Sequence, residues 1–303
     1  MNVARGKKRG KRRGAAGKAA VAVVCVALLA SGCESAGGTG AEKAAAAPAK
    51  PKPARPAWNT HPESIASLGD SITRGFDACS VLKDCPEASW ATGTSVDSLA
   101  RRLLASPGTS SWNHARTGAR MADLPEQTRA AVVNKPQLVT VLMGANDACR
   151  KNVDDMTTVD DFRADFEKSL RELRTALPKS QVYVAGVPDL RRLWAEGRKS
   201  LIGPEIWKLG SVCPSMLADS GSDDAAAEAR RVRVEQRVLE YNTVLKSVCA
   251  RDELCRFDGS VHGYGFSGQA LSKWDWFHPS KQGQGELAAL AYRTITSAEP
   301  PAA

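Results

Sequence analysis

One short segment, Leu68–Thr73, contains a residue type that can act as a nucleophile. It reads Leu-Gly-Asp-Ser-Ile-Thr and overlaps Ile65–Leu68, a short apolar run typical of a buried strand. Gly69 permits a close backbone approach, and Ser71 would lie at the carboxyl end of a sheet, where open α/β folds place their ligand crevice. A serine hydroxyl is a weak nucleophile at neutral pH. It therefore needs a general base and donors that stabilise a developing oxyanion.

Histidine is the residue best suited to be that base, because its side chain titrates near neutrality. His278 lies in the segment Trp-Asp-Trp-Phe-His-Pro-Ser, with Asp275 three residues before it. A carboxylate at this spacing can hold one imidazole nitrogen while the other faces Ser71, and it can stabilise the imidazolium that forms. The alternative interpretation is a solvated Asp-His pair at a helix start. The remaining histidines lack such a partner: His61 is predicted at the surface, His114 as structural and His262 in a glycine-rich loop.

Two residues after predicted strands are candidate donors to an oxyanion. Gly118 can offer an unobstructed backbone N–H, and Asn146 can offer a side-chain amide. The backbone N–H of Ser71 would be the third donor. The alternatives are a turn glycine and a helix-capping asparagine, and we interpret Asp147 as a structural cap rather than a catalyst.

The four blocks together resemble the SGNH/GDSL hydrolase family, which is named after Ser, Gly, Asn and His. The matching residues are Ser71 in Gly-Asp-Ser-Ile-Thr, Gly118 in Thr-Gly-Ala, Asn146 in Gly-Ala-Asn-Asp and His278 in Asp-Trp-Phe-His-Pro-Ser. The resemblance covers about residues 64–290, with the blocks in family order. It implies a three-layer α/β/α, flavodoxin-like fold with a central parallel sheet, and a Ser-His-Asp mechanism without metal. We expect no cofactor.

A closer likeness is to the phospholipase B-like branch of that family. It is carried by Ala88-Ser89-Trp90 and by the segments 118–125, 144–149 and 277–280. The chain departs from this branch in being shorter than the animal enzymes and in having Arg74 where a small residue is frequent. The segment 188–224 has no counterpart that we can align.

The rest of the sequence predicts strands that alternate with helices, which indicates a parallel sheet covered on both faces. The predicted strands are Ile65–Leu68, Ser110–His114, Gln137–Met143, Gln181–Val187 and Leu254–Phe257. The predicted helices are Val96–Ala105, Ala122–Val133, Asp160–Ala176, Ala225–Ala250 and Gln284–Thr294. The segment Pro188–Asp224 shows no clear period, and we interpret it as an insertion that could shape one wall of the cleft.

Cysteine usage indicates an exported, oxidised protein. Apart from Cys25 and Cys33 near the amino terminus, six cysteines remain, and six cysteines allow 15 pairings. We favour Cys79–Cys85, Cys149–Cys213 and Cys249–Cys255. The spacing within the two close pairs is wider than zinc sites usually have.

The amino terminus has the pattern of a lipoprotein signal. The first 18 residues hold eight basic side chains and no acid, Ala19–Ala30 is apolar, and Ser31-Gly32-Cys33 follows. About 12 apolar residues are too few to span a bilayer, which needs roughly 20. We expect residues 1–32 to be the signal peptide, with Cys33 lipidated; the alternative is an ordinary signal cut nearby. Residues 33–57 form an Ala/Pro/Lys-rich linker, and residues 58–303 the hydrolase domain.

Charge and composition exclude one class of partner. Removal of the eight amino-terminal charges from the net charge of +9 leaves about +1, so nothing indicates nucleic-acid binding. The sequence therefore predicts a secreted serine esterase or lipase, anchored as a monomer at the extracellular face of the membrane, that acts on small-molecule or lipid esters. The alternatives are a carbohydrate O-acetyl esterase, or a thioesterase, of the same fold, or a surface-displayed binding lipoprotein without catalysis.

Overall fold

Five short parallel strands form the centre of the computed structural model, which describes residues 57–299. They are β1 (Ile65–Gly69), β2 (Ser111–Asn113), β3 (Leu138–Leu142), β4 (Gln181–Ala185) and β5 (Cys255–Asp258). Their order across the sheet is β2-β1-β3-β4-β5. Each predicted strand corresponds to one of these, with ends that differ by one or two residues. The reversal of strand order between β1 and β3 places a crevice at the carboxyl end of β1.

The described residues also contain twelve α-helices. They are α1 (Ser71–Arg74), α2 (Leu99–Leu103), α3 (Pro107–Ser110), α4 (Leu124–Val132), α5 (Ala145–Ala148), α6 (Val159–Ala176), α7 (Leu190–Gly197), α8 (Gly203–Gly210), α9 (Pro214–Leu217), α10 (Ala225–Cys249), α11 (Ser260–Gly263) and α12 (Lys281–Thr296). Short 3₁₀ turns cover Pro86–Ala88, Met121–Asp123, Val153–Asp155 and Gly268–Ala270.

Helices cover both faces of the sheet. Every residue of β1, β3 and β4 is buried, as expected for near-continuous apolar strands between two helical layers. Helices α4, α6 and α10 pack beside one another, while α12 packs against α2. This is the predicted three-layer α/β/α architecture with a central parallel sheet, and the fold class is confirmed.

Side-chain caps decide where the long helices begin. The hydroxyl of Thr158 accepts the N–H of Asp161 at the start of α6, and Asp224 and Ser280 do the same for α10 and α12. Helix α2 is shorter than its apolar spacing predicts. The cap of α2 is Ser98, whose hydroxyl accepts the N–H of Arg101, so Val96 lies outside the helix.

The segment 188–224, which the sequence left without assigned structure, contains the three helices α7, α8 and α9. Asp189 caps α7, and Leu190, Leu193 and Trp194 of α7 are buried. Proline occupies the first turn of both α8 and α9, where its missing N–H costs nothing. Because each helix has only four to eight residues, its period is too short to be recognised in the sequence.

Three disulfides connect the loops, in the pairing that we favoured. Cys79–Cys85 and Cys249–Cys255 close short loops, and Cys149–Cys213 joins the end of α5 to the start of α9. No helix among residues 57–299 is long and apolar enough to cross a membrane. The predicted signal peptide, Cys33 and nearly all of the linker lie outside the described residues.

Candidate active site

The nucleophile candidate lies where β1 turns into the single-turn helix α1. Asp70 caps this helix, and Ser71 is its first residue. Gly69 has a φ of +155°, and a Cβ at this position would come within 2.5 Å of the Leu142 carbonyl oxygen and of the Thr73 hydroxyl. Only glycine fits here, so the turn that presents Ser71 depends on it.

Two buried glutamines hold this turn in place. The side chain of Gln127 accepts the N–H of Gly69 at 2.8 Å and donates to its carbonyl oxygen at 2.9 Å. The side chain of Gln284 donates to the Ile72 carbonyl and accepts the N–H of Trp90, both at 2.8 Å. Buried amides that are bonded at both oxygen and nitrogen are costly to disrupt, so they hold the backbone around Ser71 in place.

His278 reaches Ser71 from the loop that precedes α12. Its Nε2 lies 2.8 Å from the Ser71 hydroxyl oxygen, and its Nδ1 is hydrogen-bonded to a carboxylate oxygen of Asp275. The other oxygen of Asp275 accepts the backbone N–H groups of Phe277 and His278 at 3.0 and 2.9 Å. The structure therefore brings Ser71, His278 and Asp275 together in one hydrogen-bonded chain, which is the arrangement of an activated serine nucleophile.

Burial and charge act in opposite directions on this pair. Burial alone would raise the pKa of Asp275, but the charge and hydrogen bonds of His278 keep it below its usual value. Burial alone would lower the pKa of His278, but the Asp275 carboxylate, followed by Asp70 and Asp77, raises it. The surrounding carboxylates thus stabilise the imidazolium that forms when His278 takes a proton.

Asp70 is a further buried carboxyl group close to the nucleophile. One of its oxygens accepts the N–H of Ile72 at 2.9 Å, and the other is buried without a hydrogen-bond partner among the described residues. Burial raises the pKa of Asp70 to about 7. This carboxyl group is therefore partly protonated at neutral pH.

Asp77 is a second carboxyl group that the sequence did not single out. It is 2% exposed, its carboxylate accepts the N–H of Leu82, and its carbonyl accepts the Ser272 hydroxyl at 2.7 Å. Burial, and next the charge of Asp275, raise the pKa of Asp77 to about 6. No sequence signal links it to the site, because it follows Ser71 in a loop of polar and small residues.

Ligand atoms of Asp77, Asp275 and His278 lie within 4.8 Å of one another, so these groups could approach a cation. His278 and Asp275 already hydrogen-bond each other, and a cation would have to replace that bond. The second such group among residues 57–299 is Cys79, Cys85 and Glu87, but these two sulfurs form a disulfide and are not thiolates.

The two predicted oxyanion donors lie on neighbouring turns. Gly118 is exposed with a φ of +80°, and nothing lies within 4 Å of where its Cβ would be. The amide nitrogen of Asn146, on α5, donates to the carbonyl of Ala119 at 3.0 Å. Because this amide carries two N–H groups, one remains for a ligand.

Asp147 acts as the structural anchor of these turns. Its two oxygens accept the Met121 N–H at 2.9 Å and the Thr157 hydroxyl at 2.8 Å. Burial raises its pKa to about 6. Its contacts hold the chain that follows Gly118 against α5. Asp147 is thus a structural residue, although it lies inside α5 and is not the cap that we predicted, since Gly144 caps that helix.

The other three histidines have partners away from Ser71. His61 is exposed and bonds the Thr60 hydroxyl, His114 bonds the Asn134 side chain, and His262 bonds the Val187 carbonyl. Of the four histidines, all of which lie within residues 57–299, His278 is therefore the one that bonds the Ser71 hydroxyl.

Aromatic side chains surround the His278 imidazole. Phe76 and Phe277 present ring edges at centroid distances of 5.0 and 5.5 Å. Beside them, a cavity of about 520 Å³ is lined by Asp77, Lys273, Trp274 and Trp276, among others. The indole N–H of Trp276 is buried and has no partner among the described residues.

The chain resembles one known protein family and several solved structures. The family model of the GDSL-like lipases/acylhydrolases matches residues 65–291. An acetyl-xylooligosaccharide esterase of Geobacillus stearothermophilus superposes with a TM-score of 0.50 at 18% identity, over 80% of this chain and 97% of that one. An extracellular lipase of Streptomyces rimosus superposes with a TM-score of 0.48 at 18% identity, over 78% and 100%. No curated protein sequence matches the chain significantly.

At 18% identity, the esterase that superposes with a TM-score of 0.50 shows a shared fold, whereas the family model matches most of the chain. The matched range includes the turn of Ser71, the turns of Gly118 and Asn146, and the loop of Asp275 and His278. The chain therefore belongs to the GDSL-like lipase/acylhydrolase family and is an ester-hydrolysing enzyme.

Proposed function

We propose that this enzyme is a secreted serine esterase of acyl lipids that uses Ser71, His278 and Asp275 as its catalytic triad. The observation that carries the proposal is the continuous hydrogen-bonded chain from the Ser71 hydroxyl through both imidazole nitrogens to the Asp275 carboxylate. That chain supplies a nucleophile, a base and a group that orients the base.

The proposed mechanism follows from the order of these three residues in the hydrogen-bonded chain. The Ser71 oxygen attacks the ester carbonyl while Nε2 of His278 takes the hydroxyl proton, and Asp275 stabilises the resulting imidazolium. The N–H groups of Ser71, Gly118 and Asn146 stabilise the oxyanion. The imidazolium then gives its proton to the leaving alcohol, and an acyl-enzyme remains. His278 next removes a proton from water, which attacks the acyl carbonyl. The bond to the Ser71 oxygen then breaks, the imidazolium returns the proton to that oxygen, and the acid is released.

A lipid substrate is supported by the surface of the segment 188–224. Leu201, Ile202 and Leu209 are 98%, 55% and 86% exposed, and Ile202 and Leu209 lie seven residues apart, at helical spacing. Exposed apolar side chains at this spacing can contact an apolar surface such as a lipid. The likeness of several segments to the phospholipase B-like branch also favours a lipid substrate.

A carbohydrate ester is the second candidate substrate, and a different observation favours it. The cavity beside the catalytic loop has Trp274 and Trp276 in its wall together with Lys273, Gln269 and Gln282. Aromatic faces combined with polar side chains would suit an O-acetylated sugar better than a long acyl chain. The solved structure of an esterase for acetylated xylo-oligosaccharides shares this fold.

The location of the enzyme rests on the amino-terminal sequence. We propose that residues 1–32 are removed as a signal peptide, that Cys33 then carries lipid, and that residues 33–57 tether the domain of residues 58–303 outside the membrane. Mass spectrometry of the mature protein tests this. A lipid-modified amino-terminal Cys33 that disappears in Cys33→Ala is expected, and an unmodified amino terminus elsewhere would exclude the anchor.

A series of p-nitrophenyl esters from acetate to palmitate tests the reaction and the substrate class together. We expect Ser71→Ala to abolish hydrolysis while it leaves the circular dichroism spectrum unchanged. Ser106→Ala is the matched control, because Ser106 is exposed and its hydroxyl forms no cap bond. Turnover retained by Ser71→Ala would refute the triad.

The chain-length dependence separates the candidates. Rates that rise toward palmitate support an acyl-lipid enzyme, whereas rates confined to acetate support a carbohydrate or small-ester esterase. No turnover of any ester and no labelling of Ser71 by a serine-directed phosphonate would instead indicate a binding lipoprotein.

A further inference from the structure

The helical segment 188–224 contacts the catalytic loop directly. The indole N–H of Trp207, on α8, donates to the backbone carbonyl of Asp275 at 2.6 Å. Trp207 is 2% exposed, so this hydrogen bond is shielded from water. The two residues are 68 positions apart in the chain, and the bond joins the inserted segment to the residue that orients His278.

Two glycines allow the close approach of α7 and α8 to this loop. A Cβ on Gly197 would lie 2.4 Å from the carbonyl oxygen of Trp276 and 2.5 Å from the Trp207 ring. A Cβ on Gly203 would lie 2.7 Å from the Gly197 carbonyl oxygen and 3.4 Å from the Trp276 side chain. At Gly197 and Gly203 there is no room for a side chain, because a Cβ would push the segment away from the loop that carries Asp275.

The same segment is fastened to the oxyanion side of the site. The disulfide Cys149–Cys213 joins its last helix to the end of α5, the helix that carries Asn146. The Ser215 hydroxyl donates to the Ala148 carbonyl at 2.6 Å, and its N–H donates to the Arg150 carbonyl at 2.9 Å. The segment thus spans from the turn of Asn146 to the loop of Asp275.

We propose that Trp207 is a positioning residue for Asp275, the carboxylate of the proposed triad. Its indole holds the Asp275 backbone so that the carboxylate stays aligned with Nδ1 of His278, and the disulfide Cys149–Cys213 keeps the segment in place. Trp207 touches neither Ser71 nor the imidazole in any described hydrogen bond, so it acts through Asp275. The inference rests on the proposed triad and assigns the segment 188–224 a part in catalysis.

The kinetics of Trp207→Phe and Trp194→Phe test this inference. Phenylalanine keeps an aromatic ring but removes the N–H. Trp194 is the matched control, because it is also buried and its indole donates to a backbone carbonyl, that of Ser220, within the segment itself. We expect kcat to fall about tenfold or more in Trp207→Phe with KM changed less than twofold, since small displacements of catalytic groups cost large factors in rate. Trp194→Phe should keep kcat within twofold.

A second readout does not depend on turnover and separates this inference from the proposed function. In the Ser71→Ala background, the pKa of His278 is measured by NMR with and without Trp207→Phe. A misaligned carboxylate stabilises the imidazolium less, so we expect the pKa of His278 to fall in the double variant. A purely structural role would lower the melting temperature and leave this pKa unchanged. If the wild-type enzyme hydrolyses no ester, the proposed function is refuted. The role of Trp207 in aligning Asp275 is then tested by the NMR measurement alone.

If Trp207→Phe does not fold, a pair of disulfide variants decides. Cys149→Ser with Cys213→Ser releases the segment, and Cys249→Ser with Cys255→Ser removes a disulfide elsewhere in the fold. We expect kcat, corrected for folded protein, to drop at least fivefold in the first variant and less than twofold in the second. Equal kcat values in both disulfide variants, or an unchanged kcat and His278 pKa in folded Trp207→Phe, would overturn the inference.

Discussion

The buried carboxylate of Asp77 should set part of the pH dependence of this enzyme. His278 must be neutral to accept the serine proton, so activity is lost as pH falls through its pKa. The carboxylates that raise this pKa are Asp275, Asp70 and Asp77. Asp77→Asn removes one negative charge, and the pKa of His278 should therefore fall. The acid limb of kcat/KM then moves to lower pH.

The size of the shift follows from the distance between the charges. Atoms of Asp77 and His278 lie within 4.8 Å, and unit charges at that separation interact by about 3.5 kcal/mol at an effective dielectric constant of about 20. That energy corresponds to about 2.5 pKa units if Asp77 is fully ionised. Burial raises the pKa of Asp77 itself to about 6, so Asp77 is less than fully ionised in the lower part of the acid limb, and the shift is smaller than this limit. We expect a shift of about one unit.

Asparagine is a mild replacement at this position. Asp77 has a φ of 57°, a left-handed conformation that asparagine tolerates well, and an amide oxygen can still accept the N–H of Leu82. Asp219→Asn is the matched control, because Asp219 also has a positive φ of 49° but forms an exposed ion pair with Arg230.

The assay is kcat/KM for the best p-nitrophenyl ester between pH 4 and 9, at constant ionic strength. Asp77→Asn should keep at least a tenth of the wild-type rate on the alkaline plateau, because Asp275 still orients His278. An acid limb that stays within about 0.3 units of wild type in folded Asp77→Asn would refute the electrostatic coupling. If the acid limb of kcat/KM moves by the same amount in Asp219→Asn, the shift does not depend on the position of Asp77 beside His278.

Three further outcomes follow from the same geometry. Asp275→Ala should lower kcat by about 10³–10⁴-fold at pH 8, because His278 loses its orienting partner, and a loss below tenfold would contradict the triad. Asn146→Ala should lower kcat by about 10²–10³-fold with little change in KM in the ester assay, whereas a raised KM alone would indicate substrate binding instead. A disulfide that closes a longer loop removes more entropy from the unfolded chain. Loss of Cys149–Cys213, with a separation of 64 residues, should therefore reduce the free energy of unfolding by about 4 kcal/mol in urea titrations, and loss of Cys249–Cys255, with a separation of 6, by about 2 kcal/mol. Equal losses would contradict this dependence on loop length.

Local patterns in the chain were sufficient to predict the architecture. The apolar runs that became β1, β3 and β4 are buried on both faces, so each is nearly continuous and easy to recognise. The long helices have caps adjacent in sequence, such as Thr158 before α6. The helices of the segment 188–224 were not predicted, because short helices with proline in their first turns do not repeat an apolar period often enough.

The residues around Ser71 show a similar division. Asp275 and His278 are three positions apart, so their pairing is a local property that the sequence can express. Asp77 and Trp207 belong to the same site only because the fold places them there. Nothing in the sequence around Trp207 indicates that its indole meets a carbonyl 68 positions later.

The amino-acid sequence by itself determined the class of reaction, through the Gly-Asp-Ser turn, the Asp-Trp-Phe-His loop and their order along a parallel α/β fold. Only the tertiary structure decided how the turn of Ser71 is held, because Gln127 and Gln284 lie 58 and 212 residues from their partners. Local propensities act between near neighbours, whereas contacts of this length arise when the whole core packs. The charge around His278 and the long-range contacts that hold its loop are therefore properties of the fold.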